Sequence, residues 1–111
     1  MRVEQQLGAV LIRLHGEFDL SCEEPFRQAL ACALDKDTTS LVLDLCALTF
    51  IDSAGLLMLV TLDAASREDG LDFTVLCDEG HVRQVLRAAG LDGVLRVLGP
   101  SGAVPNSDSP V

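Results

Sequence analysis

The chain has 111 residues, 49% of them hydrophobic, with no Trp or Tyr and four Phe, so one domain with a core of mostly Leu, Val and Ala is expected. A formal net charge of -9 argues against nucleic acid and against an anionic membrane surface, because phosphate repels a protein that brings few counter-charges; it fits a partner with a basic patch. No apolar run approaches the ~18 residues needed to span a bilayer, and the start, MRVEQQ, is polar at once, without a signal-peptide apolar stretch; a soluble, cytoplasmic protein is the expectation.

In chain order, residues 3–15 read as a hairpin. VEQQ is short and polar, Leu7 and Gly8 make a turn, and Val10, Ile12 and Leu14 share one face of AVLIRLH. GEFD, residues 16–19, is a polar break at the strand's end. Ser21 followed by Glu24 matches a capping box, which predicts a helix from about Cys22 with Pro25 in its first turn. Phe26, Ala29, Leu30, Ala33 and Leu34 continue it at helical spacing, and DKDTTS ends it. LVLDL, residues 41–45, is short and almost continuously apolar, as a central strand buried on both faces would be.

TFIDSAG then leads, as a loop, into a second helix over residues 56–67, apolar nearly all round as far as Val60. EDGLD is a turn and FTVLC, residues 73–77, another buried strand. DEGHVRQVLRAAG is an amphipathic helix with Val82, Val85, Leu86 and Ala89 inward and Gly90 as its stop. VLRVL, residues 94–98, is the last strand. From Gly99 the composition shifts to Gly, Pro and Ser, which predicts a flexible tail over 99–111 after a domain of 1–98. The alternation predicts an α/β fold: a mixed, largely parallel sheet with an N-terminal hairpin and helices packed on it.

In such a sheet the loops at the carboxyl ends of the strands share one edge, where ligands usually bind. GEFD and TFIDSAG both fall there, so Glu17, Asp19, Asp52 and Ser53 are expected to be neighbours. Ser53 stands at a helix N-terminus, whose unpaired N–H groups and macrodipole favour an added phosphate. Gly55 removes a side chain where another molecule's backbone would approach. Taken alone, the tetrapeptide reads most simply as a helix cap, since Asp and Ser are common there.

Enzyme readings find less support. A nucleophile elbow needs glycine where Ile51 stands. A triad needs His15 or His81 at Ser53, and no motif supplies an oxyanion hole. A P-loop needs a Gly-Lys pair, and a receiver domain needs a late lysine; Lys36 is the single lysine. Cys22, Cys32, Cys46 and Cys77 form no metal-binding pair, so no metal or cofactor is expected.

GEFD after the second strand, LVLDL…LTFIDSAGL into a helix and AAGLDGVLRV into the last strand resemble the STAS domain of anti-sigma-factor antagonists, over roughly residues 2–98. The resemblance implies a small bacterial, cytoplasmic partner-switching protein that is not an enzyme. Its unphosphorylated form binds an anti-sigma factor that is also a serine kinase, which releases a sigma factor in a stress response. Phosphorylation at Ser53 breaks that complex, and a phosphatase resets it. By resemblance the partner surface comprises Glu17, Phe18, Asp19, Asp52, Ser53, Ala54, Gly55 and Leu56. Two departures stand out. The Gly/Pro/Ser tail replaces the family's C-terminal helix, leaving open whether a partner or a second copy in a homodimer covers that part of the sheet. Ala54 stands where many relatives carry a second serine, so Ser53 is the motif's sole hydroxyl. A STAS module in another signalling assembly, or a regulator of an anion transporter, is the alternative reading.

Overall fold

Leu7 and Gly8 turn the chain between its first strands, Arg2–Gln6 (β1) and Ala9–Phe18 (β2), which pair antiparallel from Arg2 opposite Arg13 to Gln6 opposite Ala9. Gly8 has a φ of 76° in that turn, a left-handed conformation that glycine reaches without steric cost. The computed structural model describes residues 1–99. Three helices follow the hairpin, Glu23–Ala33 (α1), Ser53–Asp69 (α2) and His81–Ala88 (α3), alternating with strands Ser40–Ile51 (β3), Asp72–Leu76 (β4) and Val97–Leu98 (β5).

The sheet runs β1-β2-β3-β4-β5, with every pair after the first parallel. Because strand order follows chain order, right-handed crossovers return each helix to the same side of the sheet. The register shows that side. Ile12 stands opposite Leu43 and Leu43 opposite Val75, and all three are fully buried. Phe18, Phe26, Leu59 and Leu86 close the same core. Burial of this area is the main stabilising term, at ~25 cal/mol per Å².

The opposite side corrects the expectation that residues 41–45 are buried on both faces. Leu41, Leu43 and Leu45 are buried, whereas Val42 and Asp44 are half-buried. Among the described residues no helix crosses that face, and polar pairs form there instead. Arg13 spans two strands, bonding Glu4 at 2.6 Å and Asp44 at 3.4 Å.

Other boundaries moved for local reasons. The capping box does not form: Asp19 accepts from the Ser21 N–H at 3.0 Å and from its hydroxyl at 2.6 Å. A 3-10 turn over Leu20–Cys22 then feeds α1 with no side-chain cap at Cys22. Glu24 is instead drawn to Arg27 and Gln28. Residues 94–98 contribute only Val97–Leu98 to the sheet, because Leu91–Gly93 forms a 3-10 turn and Val94 and Leu95 bond back to the Leu91 carbonyl. In α3, Val82 and Leu86 are buried and Val85 is half-buried, but Ala89, beyond the last turn, is exposed. The expected tail, apart from Gly99, lies outside the described residues.

Candidate partner-binding site

β2 and β3 do not end together by accident of length. Two register shifts, opposite Arg13 to His15 and opposite Gly16 to Glu17, each place one extra residue in β3. Gly16, across from the second, has a φ of 77°, which glycine reaches without steric cost. Thr49 is the extra residue of the second shift, and its hydroxyl donates to the Gly16 carbonyl at 3.1 Å, tying β3 to β2 there. Glu17 then faces Phe50, Phe18 faces Ile51, and the Asp52 N–H reaches the Phe18 carbonyl at 3.4 Å. GEFD and DSAG therefore lie side by side at the carboxyl edge. TFI, expected in a loop, is the end of β3.

Asp52 caps α2. Its side chain accepts from the Gly55 N–H at 2.9 Å, satisfying one of the helix's unpaired donors. Ser53 is the first helical residue, is exposed, and carries no cap bond of its own. The plain-cap reading thus belongs to Asp52, and the Ser53 hydroxyl is left at the positive end of a helix of 17 residues. Glu17 is also exposed, and Asp19 and Asp52 are half-buried beside it.

Phe18 and Gly55 are buried and act from below. The Phe18 ring meets Phe26 edge to face, with centroids 5.1 Å apart. A Cβ at Gly55 would overlap the Phe18 carbonyl oxygen and lie 2.7 Å from Ile51 Cγ1. The bare Cα therefore answers this chain's own backbone, a correction to the expectation that it admits another molecule's. Ala54 and Leu56 are half-buried on either side.

Sequence patterns did not expose Leu20 and Leu57, the large apolar side chains at 66% and 65% exposure that flank this edge. Leu57 sits in a run apolar on every side, where periodicity cannot choose the outward residue. His15 turns away from Ser53, with Nε2 2.8 Å from the Met1 amine. Among the described residues, no group of three or more His, Cys, Asp or Glu side chains is placed to hold a metal. No helix there is long and apolar enough to cross a membrane.

A family model described as "Mlab, STAS domain" matches residues 1–99, and the chain belongs to the STAS domain family. It is similar in structure to an anti-sigma factor antagonist from Mycobacterium paratuberculosis, with 27% identity and a TM-score of 0.72 over 89% of this chain and 83% of that one. The unphosphorylated anti-sigma factor antagonist SpoIIAA shares the fold at 22% identity and a TM-score of 0.74, over 99% of this chain and 97% of that one. The phosphorylated form of SpoIIAA, a Bacillus cell fate determinant, matches at 22% identity and a TM-score of 0.68, over 94% of this chain and 96% of that one.

Proposed function

We propose that this chain is an anti-sigma-factor antagonist and that Ser53 is its phosphoacceptor. In this reading the unphosphorylated protein holds an anti-sigma factor with serine-kinase activity, and a sigma factor goes free. The kinase transfers the γ-phosphoryl group of ATP to the Ser53 oxygen, and the complex separates. A phosphatase restores the hydroxyl. The chain is substrate and binding surface, not catalyst.

One observation carries the reading: an exposed serine hydroxyl, free of capping duty, at the N-terminus of α2 among three carboxylates, Glu17, Asp19 and Asp52. Phosphate there adds about -1.5 to -2 charge, stabilised in the free protein by the helix end. Against a partner it must lose water beside existing negative charge. A thousandfold loss of affinity needs only ~4 kcal/mol. That SpoIIAA keeps this fold in both phosphorylation states supports a switch without refolding.

The test is intact mass after incubation with ATP and each serine kinase of the anti-sigma class from the source cell. One added phosphate, absent in Ser53→Ala, is expected; no addition with any kinase would remove the assignment. The description of the matching family by Mlab rather than by an antagonist favours a second reading, a STAS module within another assembly. That reading predicts a stable complex whose affinity is indifferent to Ser53.

A further inference from the structure

Between α1 and α2 lies an open groove of about 340 Å³. Its floor and walls include Phe26 and Leu30 from α1, Leu57 and Met58 from α2, and Leu20 from the preceding turn. The α2 side is a stripe at positions 54, 57, 58, 61, 62 and 65. That spacing is the one by which a helix packs on another helix, and it runs ~16 Å at 1.5 Å per residue. Yet Leu20 and Leu57 stay more than half exposed at its mouth.

Charge narrows the occupant. Glu17, Asp19 and Asp52 stand at the groove's Ser53 end and Glu23 lines it, and none has an ion-pair partner among the described residues. The cation in the lining, Arg27, is already bonded to Glu24, and that pairing together with Gln28 holds the Glu24 carboxyl below its usual range. The surround is therefore acidic, which disfavours a second copy of this chain and an anionic lipid surface alike.

We propose that this groove docks an amphipathic basic helix of the partner, whose apolar side chains seat between Leu20, Phe26, Leu30, Leu57 and Met58 while its cations meet Glu23 on the groove wall. The inference rests on the reading of the Ser53 edge as a partner face, since α2 carries both. An elongated, apolar, acid-rimmed groove is the kind that takes a helix by anchors at i, i+3, i+4 and i+7.

The probe is a synthetic peptide of about 18 residues, long enough to be helical, with Leu at that spacing and Lys elsewhere, titrated into the full chain with methyl-resolved NMR. Shifts confined to Leu20, Leu30, Leu57 and Met58 are expected. Binding should weaken about tenfold in Leu57→Lys, weaken with salt, and vanish when Glu replaces Lys in the peptide. Shifts elsewhere, or affinity unchanged in Leu57→Lys, overturn the proposal. So does concentration-dependent dimerisation through these methyls, or their burial by anionic phospholipid vesicles with no response to the peptide. Ser53 that accepts phosphate beside a groove that takes no peptide would sink this inference alone. A groove that takes the peptide in a chain no kinase modifies would sink the phosphoacceptor reading and leave the docking site.

Discussion

The α-carbon of Gly55 lies against the carbonyl of Phe18, so close that no side chain fits between α2 and the end of β2. Each strand-end loop is thereby fixed by the other. The contact seats α2 low on the sheet edge and brings Asp52 within reach of the Phe18 carbonyl.

Gly55→Ala is expected to destabilise the fold. Alanine gains up to ~1 kcal/mol in helix propensity, but overpacking against backbone costs about 1–3 kcal/mol or more. The clash wins because a carbonyl held in a sheet cannot swing aside as a side chain could. A melting temperature lowered by several degrees is expected, at ~4–8 °C per kcal/mol for a domain of this size. An unchanged melt would show that the β2 end yields freely.

Asp52 and Ser53 separate stability from modification. Asp52→Ala leaves the Gly55 N–H without its partner and should cost about 0.5–2 kcal/mol. Ser53→Ala removes no cap bond and should stay within about 0.5 kcal/mol of the parent. Urea unfolding of both variants compares them directly. A larger loss in Ser53→Ala than in Asp52→Ala would reverse the assignment of the cap.

Alternating apolar residues placed β2, and helical spacing placed α1 and α3, because their buried faces impose a period. The parallel order followed from strand and helix alternation, and with it the meeting of GEFD and DSAG. What could not be read were the places where local bonds beat pattern. Asp19 took Ser21 out of the capping box, and Val94 and Leu95 bonded backwards before the chain entered the sheet. Gly55 shows the limit most clearly. Glycine in a motif marks close approach, but its spelling is the same whether the approaching backbone is a partner's or the chain's own.

The cysteines offer a measurement free of any partner. Burial, followed by the neighbouring Asp44 carboxylate, pushes the Cys46 thiol up to about 12, and burial also raises Cys77. Alkylation requires the thiolate. At pH 8, iodoacetamide should label exposed Cys32 much faster than Cys46 or Cys77, with the difference abolished in urea. The same shift sets a sign for stability. A raised folded pKa means that this thiol's contribution to stability is whole below pH ~9 and is lost as pH climbs from there through about 12. Cys46→Ala should remove part of that alkaline decline in melting temperature. Equal labelling of all four thiols at pH 8 would contradict the burial.

Ser53→Asp should weaken partner binding without unfolding the chain. The substitution places a carboxylate on the first residue of α2, where the helix end favours negative charge by about 0.3–1 kcal/mol. Ser53 is exposed, so nothing in the free protein strips that carboxylate of water. Repulsion from Asp52 and Glu17 is screened there by solvent and salt. The melting temperature should therefore stay close to the parent's. Against the anti-sigma kinase the balance changes. A desolvated carboxylate set among like charges is costly in an interface, and the helix end compensates only part of it. The penalty should fall on binding, and it should be smaller than that of phosphate, which carries more charge and bulk. Calorimetric titration of the kinase into both proteins, with its activity on wild-type Ser53 confirmed, measures the difference. Equal affinities would mean that this edge faces water in the complex, and the switch would have to lie elsewhere.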